Sequence, residues 1–134
     1  MQFLHTRSLI EYDFETVPLN GKLRHVIRAV EHTRRNIFPV VSLRGELMGV
    51  ITMDDIRADM FDADKYADPL TRYMSQPPER IHPDEPIRSV MEKFEQTRVW
   101  NLPVVDETGH YLGFLSKSKL LTAYREQLAH MSDE

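Results

Sequence analysis

A chain of 134 residues is long enough for one compact domain or two small interlocked halves, and 41% apolar residues suffice to fill a core. A formal charge of −4 argues against a nucleic-acid partner, and the lack of cysteine excludes disulfides and thiolate metal sites and fits a reducing, intracellular setting. No apolar run approaches the ~20 residues of a membrane span, and Met1–Ile10, which carries His5 and Arg7, does not read as a signal peptide.

In chain order, a short extended stretch at Thr16-Val17 comes first. Leu23, Val26, Ile27 and Val30 then fall at i, i+3, i+4 and i+7, which predicts a helix with one apolar face. The runs "FPVVS" and "LMGVIT" around Arg44-Gly45 predict a hairpin whose glycine supplies a positive φ. A second helix is predicted from Met53 to about Phe61. In "YADPLTRYMSQPPE", Asp68 reads as an N-cap, Pro69 as the first helical residue and Pro77-Pro78 as a stop, which gives a short helix and a linker. The order then recurs: an extended stretch at Arg80-Ile81, a helical stripe of Ile87, Val90, Met91 and Phe94, the runs "LPVVD" and "YLGFLS" around Glu107-Thr108-Gly109, and a helix from Lys117 to about His130.

Displaced by 64 positions, the chain lies on itself. Pro39 falls on Pro103, Val40-Val41 on Val104-Val105, Gly45 on Gly109 and Gly49 on Gly113, with no gap between Val17 and Ile56. Each copy reads β-α-β-β-α, and a repeat of this kind means that one unit cannot bury its apolar face alone.

Two such units, with a Pro-Val-Val strand, a Gly-apolar strand and a closing Thr/Ser-x-x-Asp, resemble a tandem pair of cystathionine-β-synthase-type (CBS) domains. The resemblance runs from about Phe14 to about Tyr124. It implies an α/β (α+β) fold in which two β-α-β-β-α motifs pack through their sheets with pseudo-twofold symmetry. The whole of 1–134 would form one module, with motif 1 at about 14–62, a linker at about 63–78 and motif 2 at about 79–128. The segments "RNIFPVV", "WNLPVV", "GFLSKSKLLTAYREQL" and the lead-in "SLIEYDFETV" are similar to the cytoplasmic C-terminal region of bacterial CLC-type chloride channels and transporters. That likeness implies a cytoplasmic location, as part of an inner-membrane protein, with an attached ion-channel domain. The family further implies a homodimer, no required cofactor, and an adenine nucleotide (AMP, ADP or ATP) or another adenosine-containing ligand. The alternatives are a ligand-free dimerisation scaffold and the CBS pair of another host protein.

Thr52-Met53-Asp54-Asp55 closes the first Gly-apolar strand. Thr52 as N-cap with Asp55 three residues on makes a capping box, and a carboxylate in a first turn suits the helix dipole. The same carboxylate can accept hydrogen bonds from both hydroxyls of a ribose. The family's ribose signature, Gly-h-x-Thr/Ser-x-x-Asp, is matched in full by Gly49 to Asp55. By the same resemblance Val17, Ile37, Phe38 and Pro39 border the base; plain core is the other reading of these positions. The second copy keeps Gly113 and Ser116 but has Lys119 in place of the aspartate. An ammonium donates only and cannot accept from a ribose, though it can hold a phosphate at the helix start; a plain surface lysine is the other reading. The two clefts are therefore expected to differ.

Elsewhere, His25 and His32 stand seven apart without a third metal ligand and read as surface residues. Arg34 and Arg35 read as a solvated helix end; the other reading is that one of them reaches a ligand phosphate. Trp100 reads as a wall of the second cleft or as packing at the seam between the copies, and Met60-Phe61 as residues that face a partner. No P-loop, nucleophile elbow or catalytic dyad is present in the sequence, so the chain is expected not to be an enzyme.

Overall fold

The structure, a computed structural model, describes residues 4–132. It divides into two units: Asp13–Pro77 with Thr108–Tyr111, and the stretch up to Tyr12 with Pro78–Glu107 and Leu112 onward. They are called here the first-repeat and second-repeat units. The architecture is mixed α+β with small sheets.

The first-repeat unit contains β1 (Val17–Pro18), α1 (Leu23–His32), β2 (Ile37–Val41), β3 (Leu47–Thr52) and α2 (Met53–Ile56). The strands lie in the order β1-β2-β3, with β1 parallel and β3 antiparallel to β2. Gly45 turns the hairpin at φ +83, a conformation that a side chain would strain. The apolar stripe of α1 buries Leu23, Val26 and Ala29 against Val17, Phe38, Val40, Ile51, Ile56 and Leu70. Cross-strand partners share a face. Phe38 pairs with Ile51, so both point into this core; Ile37 pairs with Thr52 and Pro39 with Val50, so these four share the opposite face.

The second-repeat unit holds α3 (Ile87–Thr97), β4 (Asn101–Val105), β5 (Tyr111–Ser116) and α4 (Lys117–Ser132). Each element begins 64 residues after its counterpart, so the register read from the sequence holds in the fold. Gly109 repeats the positive φ at +89. The Arg80-Ile81 stretch is a single parallel bridge from Ile81 to Val104. In it Ile81 N–H donates to Pro103 O and Val105 N–H to Ile81 O, both at 2.9 Å. This bridge needs the carbonyl of Pro103 and not an N–H, which is why a proline is tolerated inside the strand.

Three expectations are corrected. The second helix of the first copy ends at Ile56, not near Phe61, because the chain tightens into turns: Asp59 N–H donates to Ile56 O (3.0 Å) and Asp62 N–H to Asp59 O (3.1 Å). Two tyrosines hold these turns, Tyr73 OH donating to Asp59 Oδ2 and Tyr66 OH to Met60 O, each at 2.7 Å. Burial, then the bond to Asp59, pushes the Tyr73 phenol up to about 12. In the stretch that follows, Pro69 rather than Asp68 is the cap, and Leu70–Arg72 is a single 3-10 turn; Asp68 instead pairs with Arg72 at 2.9 Å. Met60 does not face outward but packs on the core, while Phe61 is 88% exposed.

The stretch read as a linker is structural. Leu70 is fully buried, and Ser75 completes the outer edge of β3 through two 2.9 Å bonds with Val50. In the second-repeat unit Glu11 does the same to β5, bonding Phe114 at 2.8 and 3.0 Å, with Leu9 and Ile10 buried beside it. Glu11 and Ser75 are themselves one repeat length apart, as are the 3-10 turns that begin at Thr6 and Leu70. Each copy's lead-in thus completes the sheet of the other copy. The glycines of the two signatures follow from this: a Cβ on Gly49 would stand 2.9 Å from Ser75 O, and one on Gly113 would stand 2.5 Å from Glu11 O.

Candidate functional site

The first signature sits where β3 passes into α2. Met53 N–H donates to Asn36 O (2.9 Å), which holds the start of α2 against the start of β2. Thr52 N–H and the Thr52 hydroxyl both donate to Asp55 Oδ2, at 2.8 and 3.0 Å, and Asp55 N–H donates back to Thr52 Oγ1 at 3.3 Å. The capping box is therefore closed. It uses one oxygen of an exposed carboxylate, and Oδ1 takes no part in it. The threonine hydroxyl donates its hydrogen bond to Asp55 and has only acceptor capacity left.

The face beside this carboxylate holds Ile37, half-buried, Pro39, buried, and Val50. Val50 is the apolar residue of the Gly-h-x-Thr signature, so the pattern's demand for an apolar side chain there has a visible cause: it shares the face of Thr52. Val17 and Phe38, expected beside them, point into the core and are 2% and 0% exposed. They support the strands that carry the site rather than its surface. Arg35 is committed elsewhere, pairing with Asp13 at 2.6 Å and stacking 4.2 Å from the Phe14 ring centroid; Arg34 is exposed. A hollow of about 510 Å³ in this unit lies by Leu19, Asn20 and Val41–Arg44, at the other end of β2 from Thr52. Size alone does not mark the chemistry here.

The second signature has the same backbone and the opposite charge. Lys117 N–H donates to Trp100 O (2.9 Å), as Met53 does to Asn36, and Lys119 N–H donates to Ser116 Oγ at 3.1 Å. The cap survives in one direction only, since the Lys119 ammonium cannot accept the reciprocal bond. Lys119 is exposed, and Lys117 Nζ lies 5.1 Å from the ring centroid of Trp100, a cation–π contact. Trp100 is 61% exposed and so is not sealed by packing. Among the described residues no group of three or more His, Cys, Asp or Glu is placed to hold a metal, and no helix is long and apolar enough to cross a membrane.

Comparison with known proteins gives these positions a context. The profile of the family described as CBS domain matches residues 7–62 and 70–126, one match per repeat. An uncharacterized protein of Methanocaldococcus jannaschii, MJ0188, is 29% identical over 112 residues; these are 84% of this chain and 41% of that protein, so the chain spans less than half of its relative. Among solved structures, protein MJ1004 from the same organism superposes with a TM-score of 0.81 at 18% identity, over 92% of this chain and 60% of that one. CbpB in complex with c-di-AMP gives 0.79 at 18% identity, over 97% and 90% of the two chains. CBSX2 in complex with AMP gives 0.76 at 17% identity, over 91% and 96%. At these identities the likeness is one of fold.

Proposed function

This chain belongs to the CBS domain family, with two copies in tandem, and from that premise we propose that it is a non-catalytic regulatory module that binds an adenine nucleotide or another adenosine-containing molecule at its first signature. The observation that carries the reading is the exposed Asp55 carboxylate, which caps α2 with Oδ2 and keeps Oδ1 for a ligand. Ribose hydroxyls donate to that oxygen, and Thr52 Oγ1 accepts one more bond. Ile37 and Pro39 offer the apolar surface for the base, with Val17 and Phe38 beneath them. The CBSX2 and CbpB complexes, with AMP and c-di-AMP, support this ligand class on the same fold.

The second signature takes no ribose. Ser116 and Lys119 suit a phosphate oxygen, which makes the two sites unequal in kind. The assembly is a homodimer. The host is a CLC-type chloride channel or transporter, a reading that rests on the likeness of the Pro-Val-Val segments and the lead-in, and that places the chain in the cytoplasm. A ligand biases such a host only by the difference in its affinity for the host's two states.

Calorimetric titration with AMP, ADP, ATP and S-adenosylmethionine tests the reading. A saturable heat with at least one of them is expected, at one site per chain. No heat with any of them overturns it and leaves a ligand-free dimerisation scaffold.

A further inference from the structure

A second groove, of about 310 Å³, lies in the first-repeat unit between α1 and the chain that leads into β1. Glu15 and Thr16 line it on one side and His25, Arg28 and His32 on the other. The three α1 residues stand at i, i+3 and i+7, one flank of the helix beside its buried stripe.

Their donors are set by the backbone. His25 Nδ1 accepts the Lys22 N–H at 2.8 Å, so its proton is on Nε2, which is left to donate. His32 Nδ1 lies 2.7 Å from Arg28 O; a carbonyl only accepts, so this nitrogen carries the proton. Arg28 is exposed and has no ion-pair partner among the described residues. Around it, Lys22 to Arg35 holds five Lys or Arg against one Glu, in a chain whose net charge is −4. The groove thus gathers a guanidinium fork, an imidazole N–H and the Thr16 hydroxyl in a locally positive field, which is the equipment for a tetrahedral oxyanion. Glu15 runs against a bare anion. It accepts only, so it suits a ligand that brings a hydroxyl as well as a phosphate.

We propose that this groove binds the phosphate of a small hydroxylated organic phosphate, with Arg28 and His25 on the phosphate and Glu15 accepting from the hydroxyl. The site uses neither Thr52 nor Asp55, so it stands or falls apart from the nucleotide reading.

The test follows the ring resonances of His25 and His32 by NMR at fixed pH while the full chain is titrated with glycerol 3-phosphate, inorganic phosphate or glycerol. Glycerol 3-phosphate should shift both rings saturably, and glycerol should not. Arg28→Gln should weaken glycerol 3-phosphate by about tenfold or more. Arg24→Gln, on the same helix but outside the groove, should change it by less than about twofold. Glu15→Gln should weaken glycerol 3-phosphate and strengthen inorganic phosphate. The three substituted side chains, Glu15, Arg24 and Arg28, are exposed, so the variants should keep the parent's fold, which their amide spectra check. A loss on Arg24→Gln equal to that on Arg28→Gln means diffuse attraction to a basic helix and overturns the site. So does the absence of any saturable shift, and an equal response of both phosphates to Glu15→Gln overturns the hydroxyl contact.

Discussion

At the scale of single residues, the Asp55 carboxylate caps α2 through Oδ2, and the ribose contact proposed for Oδ1 separates from that capping on mutation. Asp55→Ala removes the reciprocal bonds to Thr52 and should lower stability by about 0.5–2 kcal/mol. If Oδ1 also meets a ribose, the same change should cost about 1.5–3 kcal/mol of binding, on the order of 10- to 150-fold in Kd. Calorimetry on the folded variant reads the second number, and an unchanged Kd restricts Asp55 to capping. Glu85 gives a pH dependence. Burial by itself would raise this carboxyl, but bonds from the Ser89 hydroxyl, His82 N–H and Lys93 ammonium outweigh burial and hold it below its ordinary 4.5. A depressed carboxyl contributes stability above its unfolded pKa and loses it as pH falls through the folded one. Parent and Glu85→Gln should therefore differ most in Tm near neutral pH and converge as the pH drops below 4.5, the ordinary value of that carboxyl. A gap that stays constant with pH would mean the carboxylate's charge is not what stabilises.

At the scale of elements, the informative feature is the exchange of lead-ins. β3 and β5 would each present an open edge, and open edges invite pairing with other chains. Ser75 and Glu11 close them with two backbone bonds each, and the closeness of that approach is what Gly49 and Gly113 allow. Gly113→Ala puts a methyl 2.5 Å from Glu11 O, a contact that backbone must move to relieve. It should cost about 1–3 kcal/mol, read as a lowered denaturation midpoint. Gly109→Ala meets no atom within 4 Å and strains only its own φ of +89, so it should cost less, about 1 kcal/mol. Equal losses at the two positions would mean that the strand edge is not held as tightly as its geometry implies.

At the scale of the whole molecule, Phe61 is the large apolar side chain of the α2 turns left to solvent, at 88% exposure, with Met60 turned inward beside it. One exposed phenylalanine does not define an interface, but it gives the proposed homodimer a place to be tested. Sedimentation at micromolar concentration should show a dimer, and Phe61→Glu should move it toward monomer, since an unpaired charge in a contact is costly. A parent chain that sediments as a monomer removes the dimer.

The sequence by itself determined what depends on short-range pattern. The i, i+3, i+4, i+7 stripe of α1 and α3, the short apolar runs of β2 and β3, and the positive φ at Gly45 and Gly109 are properties of a few adjacent residues. The offset of 64 then transferred each reading from one copy to the other. The residue types of the first signature were legible for the same reason, down to the capping bonds of Thr52 and Asp55. Tertiary structure alone decided three things. It ended α2 at Ile56, because Tyr66 and Tyr73, ten and more residues on, hold the turns that follow. It sorted Val17 and Phe38 into the core and Ile37 and Pro39 onto the face of Thr52, because a strand's alternation says which residues go together but not which face meets the helix. It also sent the lead-in of each copy to the sheet of the other. A bridge of one residue, such as Glu11 or Ser75, has no periodicity to read, and its partner is chosen by where the folded chain brings an unpaired edge.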